Sequence, residues 1–262
     1  MKLSILEQAE IKTLTSRLNA IQSIPGNPMG VHQLVKGTTH AFAVKHIPGP
    51  AFNTVRGLNE QVLSHIEEIF GFYENLSINF RVEIAPTNSS EKLLRKLAEL
   101  GFYQSGFHAS FIGEVKGFKS QSMTSSLDIR PPGKNDFDLF ASIYVAAFGL
   151  PTFIQEGIKQ NNEILFEVPG WEFYIAYKQD VPVGVAVLNV QEEIATLAAA
   201  ATLPGYRNMG VHSALLKKRV EIAIEKGARY ITSEATYGSG SHRNMERAGL
   251  KLAYTKAIWT KL

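Results

Sequence analysis

The stretch ATLPGYRNMGVHSALLKKR, from Ala201 to Arg219, is where residues capable of chemistry gather. A strand pattern ends, Pro204 and Gly205 turn the chain, and a helix pattern opens after Arg207-Asn208-Met209-Gly210-Val211-His212. A helix start leaves about four backbone amides without partners and carries roughly half a positive charge. Gly210 has no side chain to keep an anion away from those amides, and Arg207 adds a cation. Together they would cradle a pyrophosphate; a tight turn with no ligand is the plainer alternative. The preceding run ATLAAAATL is small on both faces, where a central strand normally carries branched side chains. Either a ligand lies along that strand or a helix packs close against it.

The elements around this stretch must hold it in place. Upstream, WEFYIAYK (Trp171 to Lys178), VPVGVAVLNV (Val181 to Val190) and IATLAAAATL (Ile194 to Leu203) read as an antiparallel meander with turns at Gln179-Asp180 and Glu192-Glu193. Downstream, Leu215, Leu216, Val220, Ala223 and Ile224 make one helical stripe, ended by Lys226 and Gly227. ARYITSEA then predicts a strand parallel to the one before the helix. A short helix near Ser241 to Arg247 and a strand over about Lys251 to Thr260 complete the pattern.

Before the meander, Leu127 to Arg130 reads as a short strand and Asn135 or Asp136 as the cap of a helix running to about Phe148, with a second helix over Ile154 to Leu165. The polar segment Lys116 to Ser126 is the linker candidate. The first half repeats some of this order. When Gly101 is laid on Gly249, the helix Glu60–Tyr73 falls near the helix after Gly210, and the strand Phe80–Ala85 falls near Arg229–Glu234. A tandem duplication would explain this, as would the coincidences that any α/β chain yields.

Composition narrows the possibilities. The 262 residues are 45% hydrophobic and 19% charged, with a net charge of +3 and no cysteine. Thiolate metal sites, disulfides and cysteine nucleophiles are therefore excluded within this sequence. The seven histidines show no paired spacing, so no metal site is expected. The charge suits an anionic small ligand and falls short of a nucleic-acid footprint. No apolar run reaches the roughly 20 residues of a membrane span. The first 22 residues place Ile11, Leu14, Leu18 and Ile21 on one helical face rather than in a targeting peptide, so a cytoplasmic protein is expected.

The Arg-x-x-Gly-x-His run, the helix ending in Lys-Gly, the strand after it and the closing SHRNMERAGLKLAYT resemble the GCN5-related N-acetyltransferase (GNAT) superfamily over about residues 127 to 262. GPAFNTVRGL and LAELGF make the first half similar to the degenerate first domain of two-domain members. The resemblance implies an α+β fold of tandem mixed sheets flanked by helices, with a degenerate N-terminal domain over 1–120 and the acetyltransferase domain over 127–262. It also implies one acetyl-CoA site per chain. Its pyrophosphate would rest on the amides between Asn208 and His212, where Arg207, Met209, Gly210 and Val211 also lie. Its pantetheine arm would bond the backbone near Thr202 and Leu203, with Ser241 and Asn244 as polar neighbours. His212 departs from the family's small residue at its position.

Attack of an amine on a thioester needs a base, and an acid to meet the departing thiolate. The family's usual acidic tyrosine falls here on Met245, so Tyr237 and Tyr254 are the substitutes, and Glu234 is the candidate base. The acceptor is expected to be a small-molecule or peptide amine, with no nucleic acid or membrane partner and with a homodimer as a candidate assembly. Two alternatives stand beside acetyl transfer: an acyl-CoA sensor without turnover, and an acyltransferase using a longer chain. Lys217, Lys218 and Arg219 form a basic cluster, read as a solvated face or as a contact to the 3′-phosphate.

Overall fold

The computed structural model describes residues 2–47, 49–118 and 127–261. Two compact units emerge: Met1–Ser110 with Ala235–Ser239 and Leu252–Leu262, and Phe111–Glu234 with Gly240–Lys251. The expected boundary between 120 and 127 thus meets a chain that returns to its first unit at the end. Of the expected linker, Lys116 to Phe118 follow a short 3-10 turn, and residues 119–126 lie outside the described residues. Among the described residues, no helix is long and apolar enough to cross a membrane.

In the first unit, α1 (Lys2–Gln22) precedes β1 (Val31–Lys36), β2 (Thr39–Val44) and β3 (Thr54–Arg56); α2 (Ile66–Leu76), β4 (Arg81–Ile84), α3 (Glu91–Glu99) and β5 (Phe102–Glu114) follow. The C-terminal strand β11 (Lys251–Lys261) joins them antiparallel to β4, giving the order β1-β2-β3-β4-β11-β5. Strands β3 and β4 are parallel, with Val55 opposite Val82. As the 3.6-residue spacing requires, Ile11, Leu14, Leu18 and Ile21 of α1 are all buried. Tyr73 of α2 sets its hydroxyl 2.9 Å from the carbonyl oxygens of Phe42 and Thr54, which fastens the helix across β2 and β3.

The second unit carries β6 (Leu127–Arg130), α4 (Phe137–Phe148), α5 (Gln155–Phe166), β7 (Trp171–Lys178), β8 (Val181–Gln191), β9 (Ile194–Thr202), α6 (Val211–Glu225), β10 (Tyr230–Thr236) and α7 (Gly240–Arg247). The meander β7-β8-β9 is antiparallel, and β10 lies parallel to β9, as the strand–helix–strand pattern requires. Gln179 and Asp180 both have positive φ, the primed geometry that lets a tight hairpin follow the twist of its strands. Helices cover both faces. Phe137 and Phe140 of α4 meet Phe173 edge-on at 5.3 and 5.6 Å. On the other face, Val211 and Leu215 of α6 pack with Tyr174, Ala176 and Ala186. Gly184 permits this crossing, because a Cβ there would lie 2.9 Å from a Val211 methyl.

The first unit also buries charge. Lys256 of β11 is 2.9 Å from Glu10 and 2.8 Å from Glu83, and Arg56 lies 3.3 Å from Glu83. Ser110 donates to Glu10 at 2.7 Å. Arg81 reaches Glu83 as well, so three cations surround two carboxylates, and Arg56, Lys256, Glu10 and Glu83 are nearly inaccessible. Removing one partner strands a buried charge. Lys256→Met is therefore expected to destabilise the protein by about 3–5 kcal/mol, read as a lower midpoint in urea unfolding. A change below about 1 kcal/mol would show that the network is not closed against water.

Candidate functional site

The site begins where two parallel strands part. Strands β9 and β10 pair only at Ile194, Ala195 and Thr196, opposite Tyr230, Ile231 and Thr232. The last pair is tied side to side, with the Thr196 and Thr232 hydroxyls 3.1 Å apart. Beyond it, β9 runs on to Thr202 with β8 as its strand partner. Just past the parting, the β8–β9 register shifts, so that Leu188 faces both Leu197 and Ala198, a β-bulge. The Leu203 amide donates to Val183 at 2.9 Å. By the alternation of an antiparallel ladder, Ala199 and Ala201 also turn their backbone groups toward β8, while Ala200 and Thr202 turn theirs to the edge without a strand partner. Ala198, Ala199 and Ala200 are only half-buried, and the buried Thr202 hydroxyl has no hydrogen-bond partner. A polar atom in that position calls for a ligand or water.

At the end of β9 the chain turns through Pro204–Tyr206 into Asn208, at φ 62°, and Gly210, at φ 80°. Helix α6 then starts at Val211, with no side chain capping its first amides. A Cβ on Gly210 would meet nothing within 4 Å, so the space beside the start of this first turn is open. The Arg207 guanidinium is fixed nearby, donating to the Ala147 carbonyl in the last turn of α4 at 2.7 Å. A second cation was not legible in the sequence: Lys178 Nζ lies 3.6 Å from Met209 Sδ. The meander register carries the signal for it. Gly184 pairs with both Ala176 and Thr202, so the end of β7 comes alongside the end of β9.

His212 and Asn244 are brought together, with Nδ1 of the imidazole 3.4 Å from the Asn244 side-chain nitrogen. Arg247 donates to the Asn244 carbonyl at 2.9 Å, so the amide NH2 is turned toward His212 and the facing Nδ1 accepts. Burial, aided by the charge of Arg219, pushes the His212 pKa down to about 4. At neutral pH this residue is an uncharged acceptor rather than a phosphate-binding cation. Ser241 is exposed at the start of α7.

The residues considered for proton transfer are placed less compactly. Glu234 is half-buried on β10, two residues past the last pairing with β9. Tyr237 and Tyr254 belong to the first unit, where Tyr237 is exposed and Tyr254 packs in the core with Leu6 and Ala85. Met245 is buried on α7. Within the basic cluster, Arg219 departs from the expectation of a solvated face. It falls on the apolar stripe of α6 with Leu215, Leu216, Val220 and Ala223 and is fully buried.

At the corresponding turn of the first unit, after β3, Gly57 has φ 72° and a Cβ there would strike the Thr38 carbonyl oxygen. The Asn59 side chain accepts from the Gln61 amide at 2.9 Å, and Glu60 occupies the first helical turn. An amide donor is already taken and a negative charge is in place, both adverse to phosphate.

Residues 137–249 match the model of the Acetyltransferase (GNAT) family. In fold the chain is similar to a GCN5-related N-acetyltransferase from Kribbella flavida, at 13% identity and a TM-score of 0.69, covering 95% of this chain and 94% of that one. It is also similar to a functionally unknown conserved protein from Staphylococcus epidermidis, at 19% identity and 0.67, covering 92% and 96%. A tandem GNAT protein from the clavulanic acid biosynthesis pathway matches at 11% and 0.63, covering 95% and 94%. No curated protein matches the sequence. The second unit thus carries the stretch that matches the GNAT family, and the architecture of the whole chain is similar to that of a tandem GNAT protein.

The depressed His212 pKa sets a pH dependence of stability. The unfolded chain binds more protons between the ordinary value of 6.5 and about 4. Stability is thus full above 6.5 and falls as pH drops toward 4, with about 2 kcal/mol lost between pH 7 and pH 5 from this group. His212→Gln is expected to remove that share of the difference between urea unfolding curves at the two pH values.

Proposed function

We propose that the second unit binds acetyl-CoA and transfers its acetyl group to an amine by direct attack. The observation that carries this reading is the meeting of two features at one corner: the edge of β9 without a strand partner and the uncapped start of α6. The amides from Asn208 to His212 would hold the pyrophosphate, with Arg207 and Lys178 supplying positive charge. Backbone groups around Ala200, Thr202 and Leu203 and the Thr202 hydroxyl would bond the pantetheine arm. The half-buried alanines leave it room, and Ser241 and Asn244 lie at the α7 side. Bound there, the thioester supplies an activated acyl carbon.

Holding an amine against that carbon can supply on the order of 7–11 kcal/mol through proximity, without a covalent enzyme intermediate. Glu234 would take the amine's proton, directly or through water. Phe153, 82% exposed on the connection between α4 and α5, and Phe148, the last residue of α4, would give the acceptor an apolar contact. The acceptor is then a small-molecule or peptide amine with an apolar portion.

A second reading has its own support. Met245 is buried where the family's tyrosine would stand and Tyr254 packs in the core of the first unit, as suits a protein that binds acyl-CoA without turnover. Free-thiol release from acetyl-CoA across an amine panel separates the two. An acyltransferase with a longer chain is told apart by comparing acetyl-CoA with longer acyl-CoAs in thermal melts, where the tighter ligand gives the larger upward shift.

Gly210→Glu is expected to abolish the rise in melting temperature with coenzyme A, because it sets a carboxylate among the phosphate donors and strains a residue at φ 80°. An undiminished rise would remove the cradle from the reading. Glu234→Gln is expected to leave coenzyme A affinity intact while lowering kcat by about 10²–10⁴-fold at neutral pH. Unaltered turnover at saturating amine would exclude Glu234 as the base.

A further inference from the structure

Arg219 is the largest fully buried side chain in the molecule, and it lies on an otherwise apolar helix stripe. A leucine or methionine would fill that place without desolvating a charge. No carboxylate among the described residues pairs with it. Instead Nε donates to the Leu215 carbonyl at 3.1 Å, one turn back, and Nη1 reaches the carbonyls of Ala199 at 3.0 Å and Val187 at 3.3 Å. Nη2 is buried with no acceptor. Burial pushes the pKa down to about 9, opposed by Tyr174, and leaves the group cationic at neutral pH.

The two strand carbonyls belong to the pair Val187↔Ala199, the first in register after the bulge that opens opposite Leu188. The guanidinium therefore braces β8 and β9 at the point where β9 leaves β10. The Ala199 carbonyl shares its peptide group with the Ala200 amide, which faces the opposite way, to the edge of β9 without a strand partner. A cation on the oxygen of a peptide draws electron density from its nitrogen and makes the N–H a stronger donor.

We propose that Arg219 is a positioning residue: it fixes the bulge and polarises the Ala199–Ala200 peptide, so that the Ala200 N–H is aimed and strengthened as the donor to the acyl oxygen. This rests on the acetyl-CoA reading of the same site. In the transfer, negative charge grows on that oxygen as the amine bonds to carbon, and the charge leaves with the thiolate as the C–S bond breaks. A donor strengthened from behind stabilises the charged stage more than the bound thioester.

Thermal melts of the wild type with coenzyme A come first, since no shift there would fail the site reading itself. In the ligand-free wild type, base-catalysed exchange of the Ala200 amide with water, followed by NMR and corrected for sequence, is expected to outpace that of Thr202. Thr202 lies on the same edge without a guanidinium behind its peptide. Arg219→Met should slow Ala200 exchange by about threefold or more. It should also lower kcat for thiol release from acetyl-CoA by about 10–100-fold, with coenzyme A affinity within about threefold of wild type. Arg219→Lys, which keeps the charge, should recover most of kcat. If Arg219→Met does not fold, Arg219→Gln replaces it, and the wild-type comparison of Ala200 with Thr202 stands without either variant. Equal exchange of the two amides in the wild type, or a folded neutral variant with unchanged kcat, would overturn the proposal while leaving the site reading intact.

Discussion

The parting of β9 from β10 is the constraint on which the second unit turns. Parallel strands normally pair along their length, because each backbone group buried without a partner is costly. Here the pairing stops after three residues, at a threonine pair whose hydroxyls meet, and a bulge follows directly on β9. The rest of the unit accommodates that separation. Helix α4 covers one face and α6 the other, so the sheet stays intact although its middle opens. Alanines along β9 keep the opening free of bulky side chains. The segment from Pro204 to Gly210 then brings the first turn of α6 to the end of the edge so exposed.

Charge is distributed along this opening in a graded way. At its outer end stand the α6 amides, Arg207 tied to α4, and Lys178 beside Met209, an arrangement suited to phosphate. His212, one residue into the helix, adds none, since burial and Arg219 keep it neutral and it accepts from Asn244. Farther in, Arg219 lies beneath the strand and meets carbonyl oxygens. Positive charge at the outer end would bind a ligand's phosphates. Positive charge behind the strand would act on the backbone that faces its acyl group.

What the sequence disclosed followed the range of each signal. The meander, the turn at Gln179-Asp180, the α6 stripe and the Gly210 junction depend on residues close in the chain, and the structure forms them as their spacing predicts. Arg219 escaped because a charged residue beside Lys217 and Lys218 reads as solvated. Only the helix phase and the carbonyls of a distant bulge make its burial tolerable. Lys178 needed the pairing of three strands to be placed. The division into 1–120 and 127–262 assumed that domains are continuous, and nothing local in the final strand says that residues 252–261 pack with the first unit. The chemistry of the acceptor was illegible for a similar reason, since it depends on the surface left by a loop.

The first unit shows how the same order of elements can close where the second opens. Strands β3 and β4 are parallel, like β9 and β10, with helices in the same succession between and after them. Yet the residue that ends β3 is Arg56, and it reaches Glu83 on β4 directly. Lys256 and Glu10 complete a cluster that fills the space with the protein's own charges. Such a cluster is poor ground for a stabilising role, since hydrophobic residues of like size often do as well. It is specific, however, because each charge has a partner only when β3, β4, β11 and α1 are all in place. The turn after β3 is closed by the same means, with Asn59 capping the amide that a phosphate would need and Glu60 repelling it. At the corresponding place in the first unit, charges and a capping side chain of the protein itself occupy the space and the turn. In the second, the Thr202 hydroxyl and the first amides of α6 are left for something else to satisfy, and that difference is why a single site per chain is the reading the residues support.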